Sequence, residues 1–365
     1  MITESDTSAE GATNAPDQEA LMSMVFRMVG DMGAAVSGSL VLLGDRLGIY
    51  KTLANSGPCN EDQLAELTKL DARYLREWLS NQAASGYVNY DPETGSFSMS
   101  PEQAAVLADP NSPVSMIGGY YALASTYHDE PLIAEAFKSG NGVAWGEHHD
   151  CLFCGTEKFF RPGYSANLVA NWLPALNGVS EKLTAGGARI ADVGCGHGAS
   201  TLIMAQAFPD SQFTGFDLHD KSLEHARTHV GDLTNINFEQ ATAKDFGTDD
   251  EKYDLITIFD ALHDMGDPVG ACKHIRNRLK PDGTLMLVEP MAGDKLEDNL
   301  NPIGRVYYAF STMVCTPGSR SQEVGAALGA QAGESRLREV AEEAGFSSFR
   351  RAAETPFNLI LEARN

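Results

Sequence analysis

Residues 188–198, Ala-Arg-Ile-Ala-Asp-Val-Gly-Cys-Gly-His-Gly, constrain the fold of this chain more than any other stretch. A short apolar run holds Asp192, and Gly194, Gly196 and Gly198 follow at alternate positions. Helix-forming residues then run over 199–208 until Pro209 stops them. Strand, glycine turn and helix make a nucleotide-binding crossover, because glycines let the backbone approach a ligand that a β-carbon would repel. A nucleotide-like ligand is therefore expected. Glycine spacing alone leaves its identity open, since Gly194, Gly196 and Ala199 also satisfy the relaxed dinucleotide pattern of NAD or FAD proteins. An acidic residue is due about 20 residues further on to hold ribose hydroxyls. Asp217 fills that place for either ligand.

Downstream segments narrow the choice. Residues 237–241 read as a third strand, followed by Ala243, Lys244, Asp245 and Phe246. A carboxylate beside an aromatic ring suits an adenine amino group and its flat face. Residues 253–259 read as a fourth strand, nearly all apolar and so buried on both faces of a parallel sheet. It ends in Asp260-Ala261-Leu262-His263-Asp264, polar residues at the carboxyl end of a strand, where open α/β sheets bind ligands. A helix over 268–280, a turn at 281–283 and a fifth strand over 284–289 follow. Residues 349–353 and 357–363 read as an antiparallel hairpin around Thr355-Pro356.

Asp-x-Gly-x-Gly-x-Gly at 192–198, Asp217, Asp245-Phe246, the 260–264 loop and the hairpin together resemble a class I S-adenosylmethionine-dependent methyltransferase, over about residues 150–365. Within that superfamily the chain looks like small-molecule methyltransferases with an N-terminal winged-helix domain. These include plant-type O-methyltransferases and bacterial relatives, among them S-methyltransferases acting on 4-methylthio-2-hydroxybutyrate. The resemblance implies an α/β fold: a Rossmann-like seven-stranded sheet with a C-terminal antiparallel hairpin, preceded by a mostly helical winged-helix domain. It implies S-adenosylmethionine as co-substrate, held by Tyr164, Asp192, Gly194, Gly196, Gly198, Asp217, Leu218, Lys244, Asp245, Phe246 and Asp260. The helix at 155–164 corresponds to one covering the cofactor's methionine end, where Arg161 would face the carboxylate and Tyr164 would wall the sulfonium. His263 stands where plant-type enzymes carry the catalytic histidine of a His-Asp-Trp motif, although Met265 replaces the tryptophan. Such a histidine can act as a base near neutrality, or it can merely order the loop. An acceptor-pocket insertion is expected at about 290–333, with Arg305, Tyr307 and Tyr308 as substrate contacts. A guanidinium forks well onto a carboxylate, and the same side chains would equally suit an interdomain core.

Upstream, residues 59–67 read as a short capped helix, and Asp71 caps a second over 72–85, with Tyr74, Leu75, Trp78 and Leu79 on one face. Strands at 87–90 and 97–99 flank a turn and complete a winged helix. Such a fold can read DNA, so a ligand-sensing regulator with a non-catalytic cofactor fold is the competing class. DNA affinity comes chiefly from neutralised phosphates. Here Arg73 and Arg76 are accompanied by Glu77, and 50 Asp plus Glu against 27 Lys plus Arg leave a net charge of −23. The expected partner is a small molecule, not nucleic acid or membrane.

A length of 365 residues suits about two domains. The expected division is a disordered tail at 1–18, a winged-helix and dimerisation domain at 19–147, and a methyltransferase domain at 148–365. The apolar stretch at 21–43 is broken by Arg27 and Asp31, and its uncharged remainder is shorter than the roughly 20 residues of a membrane span. Helices that form a homodimer are expected instead. Six cysteines without a basic leader segment suggest reduced thiols in the cytoplasm. His148, His149, Cys151 and Cys154 crowd possible zinc ligands together, but a structural site closes with four, often from two separated pairs. No second pair follows in the sequence, and no metal is expected.

Overall fold

The computed structural model describes residues 16–248 and 250–365. Most of the tail expected at 1–18 lies outside them. The chain divides into two compact units, Met1–Ser100 and Pro101–Asn365.

The first unit holds α1 (Gln18–Arg46), α2 (Ile49–Ser56), α3 (Glu61–Thr68), α4 (Ala72–Ala84) and a small hairpin of β1 (Asn89–Asp91) and β2 (Ser96–Ser98). Caps set the helix starts. Asn60 and Gln63 form a reciprocal capping box at α3, and the Asp71 carboxylate accepts from the Arg73 and Tyr74 N–H groups at α4. Leu75, Trp78 and Leu79 pack into a core with Val41, Tyr50, Leu53 and Leu64, whereas Tyr74 is 82% exposed. Tyr74 sits about a quarter-turn from the centre of the stripe set by Leu75, Trp78, Leu79 and Gln82, so it faces water. The Trp78 indole N–H donates to the Leu40 carbonyl at 2.8 Å and ties α4 to α1.

Arg27 and Asp31 do not interrupt α1, which is one helix of 29 residues. Met24, Phe26, Val29, Met32 and Val36 along it are each at least 52% exposed. By length and composition α1 is apolar enough to cross a membrane, with a mean hydropathy of 1.3 over its best window.

The second unit opens with α5 (Pro101–Leu107), α6 (Ile117–Ser139) and α7 (Cys151–Asn167). A π turn over Leu168–Trp172 carries α7 into α8 (Leu173–Ala175), and α9 (Val179–Ala185) leads to the sheet. α6 and α7 meet backbone to backbone. A β-carbon on Gly118 would lie 2.1 Å from the Phe159 nitrogen, and one on Gly155 would lie 2.3 Å from the Ala122 nitrogen. This contact draws α6 to the second unit, so the division falls well before residue 147.

Next come β3 (Arg189–Val193), α10 (Ala199–Ala207), β4 (Gln212–Asp217), α11 (Asp220–Thr228), β5 (Ile236–Gln240), β6 (Tyr253–Phe259), α12 (Pro268–Arg278) and β7 (Leu279–Pro290). After them come α13 (Pro302–Phe310), α14 (Thr316–Arg320), α15 (Gly333–Glu343), β8 (Ser348–Glu354) and β9 (Asn358–Arg364). The sheet has seven strands in the order β5-β4-β3-β6-β7-β9-β8. Pairing is parallel from β5 through β7, and β9 runs antiparallel to both β7 and β8. β7 starts ahead of the expected residue 284 because Leu279 pairs with Tyr253 across a bulge. Every residue of β6 is buried, as a central parallel strand requires. Strand order reverses beside β3, which puts a crevice at the carboxyl ends of β3, β4 and β6.

Gly198 makes the entry to α10 possible. Its φ is +76°, and a β-carbon there would stand 2.5 Å from the Phe238 ring. Gly198→Ala should lower unfolding stability by about 2 kcal/mol or more, combining left-handed strain with overpacking. Urea unfolding measures this, and an unchanged midpoint would remove the steric account.

Candidate active site

A cavity of about 600 Å³ opens at that crevice. Its wall includes Gly194, Gly196 and His197 of the glycine turn, Asp217 and Leu218 at the end of β4, and Thr242 to Lys244 after β5. Asp260, Asp264 and Met265 come from the end of β6, while α7 contributes Glu157, Phe160, Arg161 and Tyr164. Gly194 and Gly196 have φ values of +75° and +52°, the left-handed region that glycine enters freely. A β-carbon on Gly194 would press Ala261 at 3.0 Å, whereas one on Gly196 would meet nothing within 4 Å. Asp217 pins this turn by accepting from the Gly196 and His219 N–H groups, both at 2.8 Å. Burial raises its pKa even though those two bonds lower it. Each carboxylate oxygen retains a lone pair for a ribose hydroxyl.

Several expected cofactor contacts are turned elsewhere. The Asp192 carboxylate accepts from the Ser200 and Thr201 hydroxyls at 2.6 Å and from the Thr257 hydroxyl at 3.0 Å. At 1% exposure it lies off the cavity wall and clamps β3 to α10 and β6. Gly198 is likewise a packing position. Phe246 is buried among Phe216, Tyr253 and His274 and does not face the cavity. Asp245 uses one oxygen to accept from the Thr242 N–H and hydroxyl, both at 2.7 Å, which closes the turn. Lys244 does reach the wall, where it pairs with Glu323 at 2.9 Å and Asp267 at 3.4 Å. Leu218, also on the wall, is 60% exposed.

The end of β6 is strained and acidic. Asp260 has φ +49°, rare for a residue with a β-carbon and typical of functional turns. The Tyr164 O–H donates to its Oδ2 at 2.8 Å, and the Asn358 amide donates to its Oδ1 at 2.9 Å. Burial, helped by the charge of Glu289, pushes the Asp260 pKa up to about 8. Burial beside Asp260 also raises the Tyr164 phenol well above its ordinary value. His263 lies in a 3-10 turn over Leu262–Asp264 and donates from Nδ1 to Glu289 Oε2 at 2.6 Å. The other Glu289 oxygen accepts from the Leu262 N–H at 3.0 Å, so one carboxylate fixes both ring and turn. Burial opposes the imidazolium, but Asp264 and Glu289 outweigh it and hold the His263 pKa well above the usual value. His263 is 3% exposed and stays behind the wall, while Asp264 forms part of it. From the sequence Glu289 is only the last residue of the fifth strand expected at 284–289. Its link to His263 comes from β6 and β7 lying side by side.

The acceptor side also differs from expectation. Arg305, Tyr307 and Tyr308 all lie on α13, and none reaches the cavity wall. Arg305 is on the outer surface, and Tyr307 is buried with its O–H donating to the Phe357 carbonyl at 2.8 Å. A π turn over Ser311–Cys315 links α13 to α14. Val314 in that turn and Gly318, Gln322 and Glu323 after it line the cavity together with Trp145, Phe153 and Phe160. Cys151 and Cys154 are free thiols, and the nearby His148 donates to Asp129 at 2.9 Å.

Residues 185–345 match a family model described as a methyltransferase domain, and residues 35–109 match an Rv2258c-like winged helix-turn-helix domain. The chain thus carries a methyltransferase domain preceded by a winged-helix domain. Among curated relatives, the ubiquinone biosynthesis O-methyltransferase of Haemophilus ducreyi is 34% identical over 107 residues, 28% of this chain and 44% of that protein. The match thus spans less than half the length of that relative. Mitomycin 7-O-methyltransferase MmcR superposes with a TM-score of 0.63 at 19% identity, covering 95% of this chain and 100% of that one. Human N-acetylserotonin methyltransferase, solved in complex with SAM, gives 0.65 at 18% identity, covering 96% and 99%. Identities this low speak for the fold alone.

Asp217→Ala leaves two N–H groups of the cofactor turn without acceptors. Binding of S-adenosylhomocysteine should weaken at least about 10-fold in calorimetry. Asp245→Ala, off the wall, should stay within about 3-fold of the parent. Equal losses in both would contradict this division of roles.

Proposed function

We propose that this protein transfers the methyl group of S-adenosylmethionine to a hydroxyl of a small-molecule acceptor. The observation that carries the reading is the meeting of two groups in one cavity. Asp217 and the glycine turn offer the ribose and backbone contacts, and Asp260, Asp264 and Tyr164 stand at the end of β6. When bound, S-adenosylmethionine supplies an activated sulfonium methyl, so alignment and exclusion of water carry most of the catalysis. Carboxylates and the rings of Phe160 and Tyr164 make surroundings suited to a sulfonium cation. Asp264 presents a carboxylate to an acceptor hydroxyl, and Glu289 holds His263 directly behind it.

One observation favours a second acceptor. The same acidic and aromatic wall suits a sulfonium product, which a thioether hydroxy acid such as 4-methylthio-2-hydroxybutyrate would yield without losing a proton. A ligand-sensing regulator has less support. On the winged-helix unit, Arg73 pairs with Glu77 at 2.5 Å and Arg76 with Glu61 at 2.6 Å, so a carboxylate stands beside each cation that a phosphate would need. The exposed apolar side of α1 supports pairing of two copies.

A labelled-methyl assay against pooled hydroxy acids, phenols, thiols and thioethers tests the proposal. Label should enter the hydroxyl pools, and Asp264→Asn should reduce that rate at least about 100-fold. Retention of most of the rate in that variant would favour the thioether. No transfer to any pool, with S-adenosylhomocysteine binding intact and duplex DNA bound at low salt, would leave the regulator.

A further inference from the structure

The Asp192 carboxylate of the glycine motif is engaged by three hydroxyls and lies off the cavity wall, so a cationic group in the cavity needs another anion. The carboxylates that do line the cavity are Glu157, Asp217, Asp260, Asp264, Asp267 and Glu323. Asp260 accepts at both oxygens, from Tyr164 and Asn358. Asp264 pairs with the His263 imidazole at 3.2 Å, and Asp267 and Glu323 share the Lys244 ammonium. Asp217 holds two N–H groups where the ribose is expected. Glu157 differs from all of these. Its Oε2 accepts from His197 Nδ1 at 3.0 Å and stands 3.4 Å from His225 Nε2. Its Oε1 lies 3.8 Å from Arg161 Nε, too far for a hydrogen bond, and keeps lone pairs for a ligand. Burial opposes the Glu157 charge, but His197, Arg161 and His225 outweigh it and hold the carboxyl below its usual range.

Glu157 and Arg161 stand one turn apart on α7, and both reach the cavity wall. Opposite charges that approach each other this loosely match a zwitterion, whose ammonium and carboxylate each replace a weak contact with a charge-assisted hydrogen bond. His197 lies between Gly196 and Gly198, so its bond to Glu157 places that carboxylate beside the glycine turn. We propose that Glu157 binds the α-ammonium at the amino-acid end of the cofactor, while Arg161 takes the α-carboxylate. The inference rests on the cofactor reading above and adds the residue that receives the positive charge. His197 is a positioning residue here, because by holding Oε2 it leaves Oε1 for the ammonium.

Calorimetry on the full chain with three ligands tests the assignment. S-Adenosylhomocysteine carries both charges, decarboxylated S-adenosylmethionine keeps the ammonium alone, and 5′-methylthioadenosine has neither. Glu157→Gln should weaken the first two at least about 10-fold and leave the third within about 3-fold. Arg161→Gln should weaken S-adenosylhomocysteine to a similar degree and leave the decarboxylated ligand within about 3-fold. Glutamine keeps an oxygen for His197, and 5′-methylthioadenosine reads the glycine turn directly, so a merely structural role would weaken all three ligands alike. Circular dichroism checks each variant. If Glu157→Gln does not fold, Glu157→Asp is read instead, with a loss confined to the two ammonium ligands. Equal losses on all three ligands, no loss on any, or a loss on S-adenosylhomocysteine alone would overturn the ammonium site. A parent that binds none of the three refutes the cofactor reading itself, whereas normal S-adenosylhomocysteine binding that ignores Glu157→Gln refutes this inference alone.

Discussion

The buried carboxylate of Asp192 fixes the geometry on which the active-site crevice depends. A charge at 1% exposure is tolerable only when its oxygens are well bonded. Three hydroxyls meet that need, two from the first turn of α10 and one from β6. The carboxylate therefore sets how the first strand, the helix behind the glycine turn and the central strand align. Once they are aligned, Gly194 and Gly196 must bridge the gap in left-handed backbone, and Gly196 offers its N–H to Asp217. The ligand-facing geometry follows from an interaction no ligand touches.

Acidity is the second theme. Asp260, Asp264 and Glu289 gather at one end of a sheet within a chain of net charge −23. Burial, reinforced by this crowding, is why Asp260 holds its proton up to about pH 8. Tyr164, Asn358 and His263 absorb much of the excess through hydrogen bonds and opposite charge. What remains is a negative end of the cavity, suited to a cationic group and hostile to an anionic one.

Much of the sheet could be read from residues alone. The unbroken apolar run of β6 announces a strand buried on both faces, and Asp217 sits where the crossover geometry demands an acid. Side-chain direction was harder. Asp245 and Phe246 are neighbours in sequence, but one closes a turn at the surface and the other enters the core, which adjacency cannot reveal. The Asp192 motif letter does not distinguish a ligand contact from a clamp until the Ser200, Thr201 and Thr257 hydroxyls are in view. Glu289 meets His263 only because β6 and β7 are neighbours. Arg305, Tyr307 and Tyr308 were misplaced for a different reason. They lie on α13, whereas the residues of this region that line the cavity, from Val314 to Glu323, come only after it, a displacement along the chain that composition does not reveal.

The glycine-to-backbone contact between α6 and α7 has a mechanical consequence. With Gly118 seated on Phe159 and Gly155 on Ala122, neither helix can roll about its own axis without driving a main chain into its neighbour. α7 carries Arg161 and Tyr164 on the cavity wall, so any shift of that wall moves both helices as one plate.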